Sequence, residues 1–538
     1  MVGYSGNRHK HRFNDSPLRM NDSAATIINC LHEAQLLPPR CRCCEPRTSN
    51  IEDWGFKHQD LLPLILEQWK IAAQHCQHRR RTSSYEQRCQ VLQACQARDG
   101  KLLLDASVHF GSAFGQWLGW RFAWYPYGIP TGQLVGIASS RLGRRLDEKP
   151  GWFQRLRQYC RQLDPHNQLL LTVSQTAAAP YVARAAQLFE KPSLQATIID
   201  SARWRYWGQL VWDTALEVHH PGLWSTLVSP VIDPHRSPLD PSQLARIPAH
   251  DRTLISASDQ IWICQLRRNG ILQKLVHQRL TSHWSRPGSI RRHPSQANVD
   301  LNTNRQKYSR PSKTLSLLTV PERKASPVRH ISETSFLQPP WQYLSHWTRR
   351  QDGPWPDQHQ DQWLDELILE HPGRDRSALA SLTRIVCQQQ LLSSKDSIRG
   401  NHQVVCFSAT PLLRWSSLRC YRAHRGRWDF EPYGICIKRD WLEQAGARPV
   451  IYGDDNDWQR LAKQQRPFFQ HRFGRNSSAA SRWDWAIEQE WRYAQTLSLE
   501  NLPGPSAFLF VPTQQEAESL APHSRWPVVY LKSARQLV

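Results

Sequence analysis

The stretch "NQLLLTVSQTAAAPYVARAAQLFE", residues 167–190, decides how the chain is read. Its first half is a short run, apolar nearly throughout, which suits a strand buried on both faces. Small residues follow at Ala177–Ala179. The rest, from Tyr181 to Phe189, carries apolar residues at helical spacing. A two-sided apolar strand running through a small-residue turn into a helix is half of a β-α-β unit.

The same alternation extends in both directions. "KLLLDAS" and "QLVGIASS" read as strands before it, and the helix "WFQRLRQYCRQL" joins the second of these to it; "LQATIID", "RTLISAS" and "QIWICQLRRNG" read as strands after it, and "ILQKLVHQRL" closes with a helix. Strands apolar on both faces that alternate with helices predict an α/β Rossmann-like domain, a parallel sheet covered on both sides, over residues 96–280. Ligands in such folds sit beyond the carboxyl ends of the strands. This directs attention to the loops Ser139–Arg144 and Ser174–Ala178.

The flanking regions differ. Residues 1–95 read as a basic helical N-terminal region, with "QDLLPLILEQWKIAAQ" at helical spacing and a charge run at Arg79–Arg81. Residues 281–335 carry ten Lys or Arg against three acidic residues, with much Ser and Pro, and read as a disordered basic linker. Residues 336–538 form a second folded unit of α+β type, with apolar stretches "QVVCFSATPLL", "YGICIKRDWL", "RPVIYG", "SAFLFVPT" and "WPVVYLK".

The 538 residues suit two to three domains. A formal net charge of +23 favours polyanionic partners, nucleic acid first among them, through counterion release and steering; a merely solvated basic surface is the alternative. No run of about 18 apolar residues marks a membrane span, and no apolar core follows the basic N-terminus to mark a secretory signal. Thirteen scattered cysteines fit a reducing, cytoplasmic setting. Cys41 and Cys44 have CxxC spacing and His75, Cys76 and His78 lie downstream, but a second well-spaced pair is missing, so no metal is expected.

In "VGIASSRLGR", Ser139 and Ser140 can supply hydroxyls and Arg141 can clamp a phosphate. After the strand "LLLTVS", Thr176 sits where a helix N-terminus offers free N–H groups to an anion. These two passages resemble the Rossmann-like nucleotide-binding superfamily that includes LOG-type phosphoribohydrolases and DNA-processing DprA-type proteins. That resemblance implies nucleotide sensing. The "PGGxGTxxE" signature of LOG enzymes is absent, "VSQTAAAPY" standing in its place, and this argues against glycosidic cleavage. A purely structural α/β domain is the other reading.

The C-terminal unit carries "YLSHWTRR", "VCFSATPL", "EPYGICI", "GARPVIY" and "RWDWAIEQEWRYAQ" (482–495). If "EQEWRY" is a strand, Glu488, Glu490 and Arg492 share one face and can floor a polar pocket. If it is a helix, Glu488 and Arg492 form a surface i,i+4 pair. The tryptophan spacing fits neither period alone and predicts a helical turn over 483–488 passing into a strand at 489–495. In order and spacing these pieces resemble the abortive-infection, AbiGi-type phage-resistance proteins, and more distantly the ADP-ribosyltransferases. The latter resemblance implies NAD as a substrate, with Glu490 as the catalytic carboxylate and His346 on the NAD ribose. Arg349, Thr348, Ser408, Tyr433, Glu488 and Arg492 would line the substrate site. The resemblances together imply a bacterial defence-type protein: a nucleotide-sensing α/β module joined to an ADP-ribosyltransferase-like or NAD-cleaving effector. The alternative is a non-catalytic, basic nucleic-acid-binding protein in which the paired carboxylates are structural.

Overall fold

The structure, a computed structural model, describes residues 17–39, 59–76, 79–218, 220–233, 247–281, 290–292, 326–333, 340–395, 398–414, 419, 421–422, 427–472 and 485–531. The chain divides into two compact units. The first comprises residues up to 304 together with Leu367–Glu370, the second the remainder.

The first unit is built on an eight-stranded sheet: β1 (Lys101–Leu103), β2 (Ala123–Tyr125), β3 (Gln133–Ser139), β4 (Gln168–Val173), β5 (Ser193–Ile198), β6 (Leu223–Val228), β7 (Gln260–Gln265) and β8 (Ile290–Arg292). The spatial order is β1-β2-β6-β5-β4-β3-β7-β8. From β6 to β8 every pairing is parallel, and β1 and β2 add an antiparallel edge. The chain lays down β3, β4, β5 and β6 in one direction and then returns to the far side of β3 for β7. The strand order therefore reverses between β3 and β7, and at such a reversal the two flanking loops part to leave a crevice.

Helices cover both faces. On one side Pro150–Gln162 and Ala179–Leu188 bury Trp152, Phe153, Leu156 and Val182, and the Tyr159 hydroxyl donates to the Ile263 carbonyl on β7 at 2.8 Å. On the other, Ala249–Ala257 and Ile271–Thr281 pack into a core with Leu134, Leu169, Leu171 and Ile261. Ala249–Ala257 corrects the expected strand at "RTLISAS". Five consecutive positions, Thr253–Ala257, are buried, because the helix is enclosed all round, and a fully buried short helix has the same apolar pattern as a buried strand. Helix Trp204–Ala215 and strand β6 were not anticipated. The helix is legible in hindsight from the buried set Trp204, Trp207, Val211 and Ala215.

Helices Pro17–Glu33, Leu62–His75 and Arg79–Ala97 share one apolar cluster with Trp204 and Trp207 of helix Trp204–Ala215 and with Phe122 and Trp124 at β2. The stretch expected to be a disordered linker holds two strands among its described residues: β8, paired with β7, and β9 (Val328–His330). Its residues 282–289, 293–325 and 334–335 lie outside the described residues, as do Cys41, Cys43, Cys44 and His78.

The second unit has its own eight-stranded sheet. Besides β9 it contains β10 (Tyr343–Trp347), β11 (Val404–Ser408), β12 (Gly434–Lys438), β13 (Arg448–Pro449), β14 (Glu490–Ala494), β15 (Ala507–Val511) and β16 (Val528–Tyr530). The order is β13-β14-β11-β10-β12-β15-β16-β9. Pairings are antiparallel from β13 to β15, and β15, β16 and β9 are parallel. One face packs Leu344, Val405, Phe407, Ile435 and Leu509 against helix Ala378–Gln388. That helix is capped by Ser377, whose hydroxyl accepts the Ala380 N–H at 3.2 Å. The opposite face buries Tyr343, Cys436, Phe508 and Phe510. The molecule is thus a mixed α/β protein, with a largely parallel sheet first and a mixed sheet second. Among the described residues no helix is long and apolar enough to cross a membrane.

Candidate functional site

The loops singled out in the first unit do converge. β3 and β4 are parallel neighbours, so Ser139–Arg144 and Ser174–Ala178 both emerge at the carboxyl edge. The hydroxyls there are each hydrogen-bonded within the protein. Ser139 is buried, its Oγ donates to the Ser140 carbonyl and accepts from Trp152 Nε1, both at 2.9 Å. Ser140 Oγ accepts the Arg267 N–H at 2.9 Å, which ties the β3 loop to the β7 loop. Thr176 Oγ1 donates to the Val173 carbonyl at 2.8 Å. Ser139 and Thr176 thus spend their hydroxyl protons on backbone carbonyls of their own loops, whereas Ser140 Oγ is held as an acceptor and keeps its O–H to donate. Trp152, thirteen positions from Ser139, could not be assigned as its partner from spacing alone.

Arg141 is different, because it is exposed at the end of β3. Exposed arginines gather along the same edge: Arg144 and Arg145 beyond Arg141, Arg203 after β5, and Arg267 and Arg268 after β7. Arg145 is 3.8 Å from Glu148 on the surface. Burial pushes the Asp251 carboxyl up, against the opposing charges of His250 and Arg141. Gln175, at the tip of the β4 loop, holds a left-handed backbone (φ 73°), a conformation rare outside glycine and one that collects at functional turns. Among the described residues, no side chain caps the helix that follows at Ala179. Beside Arg203 the ring of Tyr206 is 49% exposed, with the guanidinium 5.6 Å from its centroid. Sequence reading missed Arg203, Tyr206, Arg267 and Arg268. The signal lay in basic residues recurring just after strands β3, β5 and β7.

In the second unit, residues 485–488 form a 3-10 turn and Glu490–Ala494 a strand, with Gln489 at positive φ between them. This is the mixed conformation the tryptophan spacing predicts. The register then fixes the faces. Ser345 pairs with Ser408, and Ser408 with Glu490, so these three point to one side. His346 is one residue on and points to the other, where its ring lies 5.7 Å from that of Phe407. Glu490 and His346 therefore do not line a common cleft, and the expected catalytic pair is not assembled.

Each half of that pair has a structural partner. Arg492 is 1% exposed and grips Glu490 with two nitrogens, at 2.8 and 3.2 Å. Its other N–H groups donate to the Pro467 and Phe469 carbonyls and to Gln470 Oε1. Glu490 Oε1 and Oε2 are both engaged in this closed network, which holds the short strand Phe469–His471 against β14. Glu488 is half-buried at the end of the turn, and its carbonyl accepts from Ser408 Oγ at 2.8 Å. The backbone N–H of Glu490 donates to the Tyr452 hydroxyl at 2.9 Å.

His346 Nδ1 donates to the Cys406 carbonyl at 2.9 Å, and since a carbonyl only accepts, Nδ1 carries the proton. Burial, with a further contribution from the Arg349 charge, pushes His346 down to about 4, so the ring is neutral at pH 7. Thr348 Oγ1 donates to the Ala378 carbonyl at 3.3 Å. The Tyr433 hydroxyl donates to Glu516 Oε1 at 2.8 Å. Arg349 is exposed beyond the end of β10. Of the expected substrate-site residues, Ser408, Glu488, Glu490 and Arg492 are brought together, whereas Thr348 and Tyr433 are tied to helices on the other side of the sheet.

No protein-family model matches this chain, and no curated protein does; the AbiGi, LOG and ADP-ribosyltransferase resemblances thus gain no family match. A solved structure, that of DNA processing protein A (DprA) from Streptococcus pneumoniae, is similar over 47% of this chain and 82% of that one, at 11% identity and a TM-score of 0.22. At that score the likeness lends no weight to any functional reading.

Proposed function

We propose that the protein binds single-stranded nucleic acid along the carboxyl edge of the first sheet. The observation that carries this reading is the row of exposed arginines that follow the parallel strands β3, β5 and β7, with an exposed tyrosine among them. Strands lie about 4.8 Å apart, so β5 and β7 place their loops roughly 14 Å from each other. That spread suits an extended phosphate chain better than one small nucleotide. The hydroxyl protons of Ser139 and Thr176, spent on backbone carbonyls, point the same way. Guanidinium groups contact phosphates, and the Tyr206 ring offers a face on which a base can stack. The net charge of +23 supports long-range attraction to such a ligand. An NAD-cleaving role for the second unit is not carried forward, because His346 and Glu490 lie on opposite faces.

The test is fluorescence anisotropy of a labelled single-stranded oligonucleotide titrated with the full chain at several salt concentrations. Affinity should fall linearly in log–log form, by about 0.7 per phosphate contact. Binding that is absent, or insensitive to salt, would remove the reading.

A further inference from the structure

Asp200 is an acid set among arginines. It follows β5 by two residues, and its side chain is 53% exposed. Its Oδ1 receives Arg121 Nη2 at 3.1 Å and lies 3.7 Å from Arg252 Nη2. Neither guanidinium is free to turn away. Arg121 is 1% exposed and donates to the carbonyls of Leu118, Ile199 and Ser229 at 2.8, 2.9 and 2.7 Å. Arg252 donates to those of Trp117 at 2.6 Å and Ile247 at 3.1 Å. The two cations thus fix the carboxylate through one oxygen, while the group as a whole stays half open to solvent at the edge.

A carboxylate beside a phosphate track repels the track, unless it accepts a hydrogen bond from the ligand. It has lone pairs for several bonds, and the arginines approach only Oδ1. Tyr206, six positions on in the helix that follows the same loop, offers an exposed ring on which a base can stack. We propose that Asp200 is a specificity-determining residue: through Oδ2 it accepts from the exocyclic amino group of a base, and so favours strands of cytosine or adenine over thymine. The chemistry is the acceptor–amino pairing that carboxylates make with cytosine. This inference rests on the edge being the nucleic-acid track.

The experiment measures anisotropy of equal-length oligo-dC, oligo-dA and oligo-dT against the full chain, as wild type, Asp200→Asn and Asp200→Glu. Wild type is expected to prefer dC and dA over dT by about tenfold, the worth of one charge-assisted hydrogen bond. Asp200→Asn should compress that ratio to about twofold, and Asp200→Glu should restore part of it. Equal binding of all three oligonucleotides by wild type, or a uniform tightening by Asp200→Asn with the ratio unchanged, would reduce Asp200 to a counter-ion of Arg121 and overturn the inference. Failure of every oligonucleotide to bind would instead remove the track itself.

Discussion

Arg492 shows what a single side chain decides in the second unit. Fully buried, it is neutralised among the described residues by Glu490 and otherwise bonds there to neutral acceptors, the Pro467 and Phe469 carbonyls and Gln470 Oε1. Removing one member of such a pair leaves the other charge buried and uncompensated. Glu490→Gln is therefore expected to destabilise the second unit by about 3 kcal/mol in urea denaturation; an unchanged midpoint would show that the pair is dispensable and reopen a functional role for the carboxylate. His346 makes a second residue-scale prediction. Its folded value of about 4 lies below the ordinary 6.5. Between those values the unfolded chain binds more protons than the folded one, so the stability it supports is present above pH 6.5 and is lost as pH falls toward 4. Relative to His346→Gln, wild type should lose roughly 1 kcal/mol per pH unit across that window. Parallel stability curves for the two proteins would contradict the assignment.

At the scale of elements, close backbone approaches set what can pack. A Cβ on Gly208 would lie 1.7 Å from the Ala34 carbonyl oxygen, where helix Trp204–Ala215 meets the N-terminal helices; one on Gly434 would lie 2.1 Å from the His346 carbonyl oxygen, between β12 and β10. Gly208→Ala and Gly434→Ala should each cost about 3 kcal/mol, because backbone cannot yield as a side-chain tip can; wild-type unfolding midpoints would show that these elements are not held so closely. The same scale marks what sequence could and could not reveal. Strands β3, β4, β5 and β7 and the helices Pro150–Gln162, Ala179–Leu188 and Ile271–Thr281 were legible, since their apolar runs and periods are local properties. The helix at "RTLISAS" was not, because enclosure on all sides erases the periodicity. Nor was the separation of His346 from Glu490. Each sits in a readable strand, but the face each takes depends on register through β11, and one step along a strand reverses a side chain.

For the whole molecule, function follows from where the parallel strands end. Three loops after β3, β5 and β7 bring arginines to one edge, although their positions span more than 120 residues of sequence. The loops were legible as a candidate site from the strand–turn–helix pattern. The partners of the serines and threonine there, Trp152, Arg267 and the Val173 carbonyl, are set by the packing of the loops and could not be read from the sequence. The central claim is that this edge holds a single-stranded nucleic acid, and its most direct test compares two charge-removal variants. Arg141→Gln/Arg267→Gln/Arg268→Gln strips the edge, while Lys395→Gln/Arg460→Gln/Lys463→Gln removes the same exposed charge from the second unit. With labelled oligonucleotide, the first variant should lower the salt slope by about 2, at roughly 0.7 per lost contact, and the second should leave it near wild type. Equal slopes for both variants would mean that affinity comes from net charge alone, and would contradict the assignment of the edge.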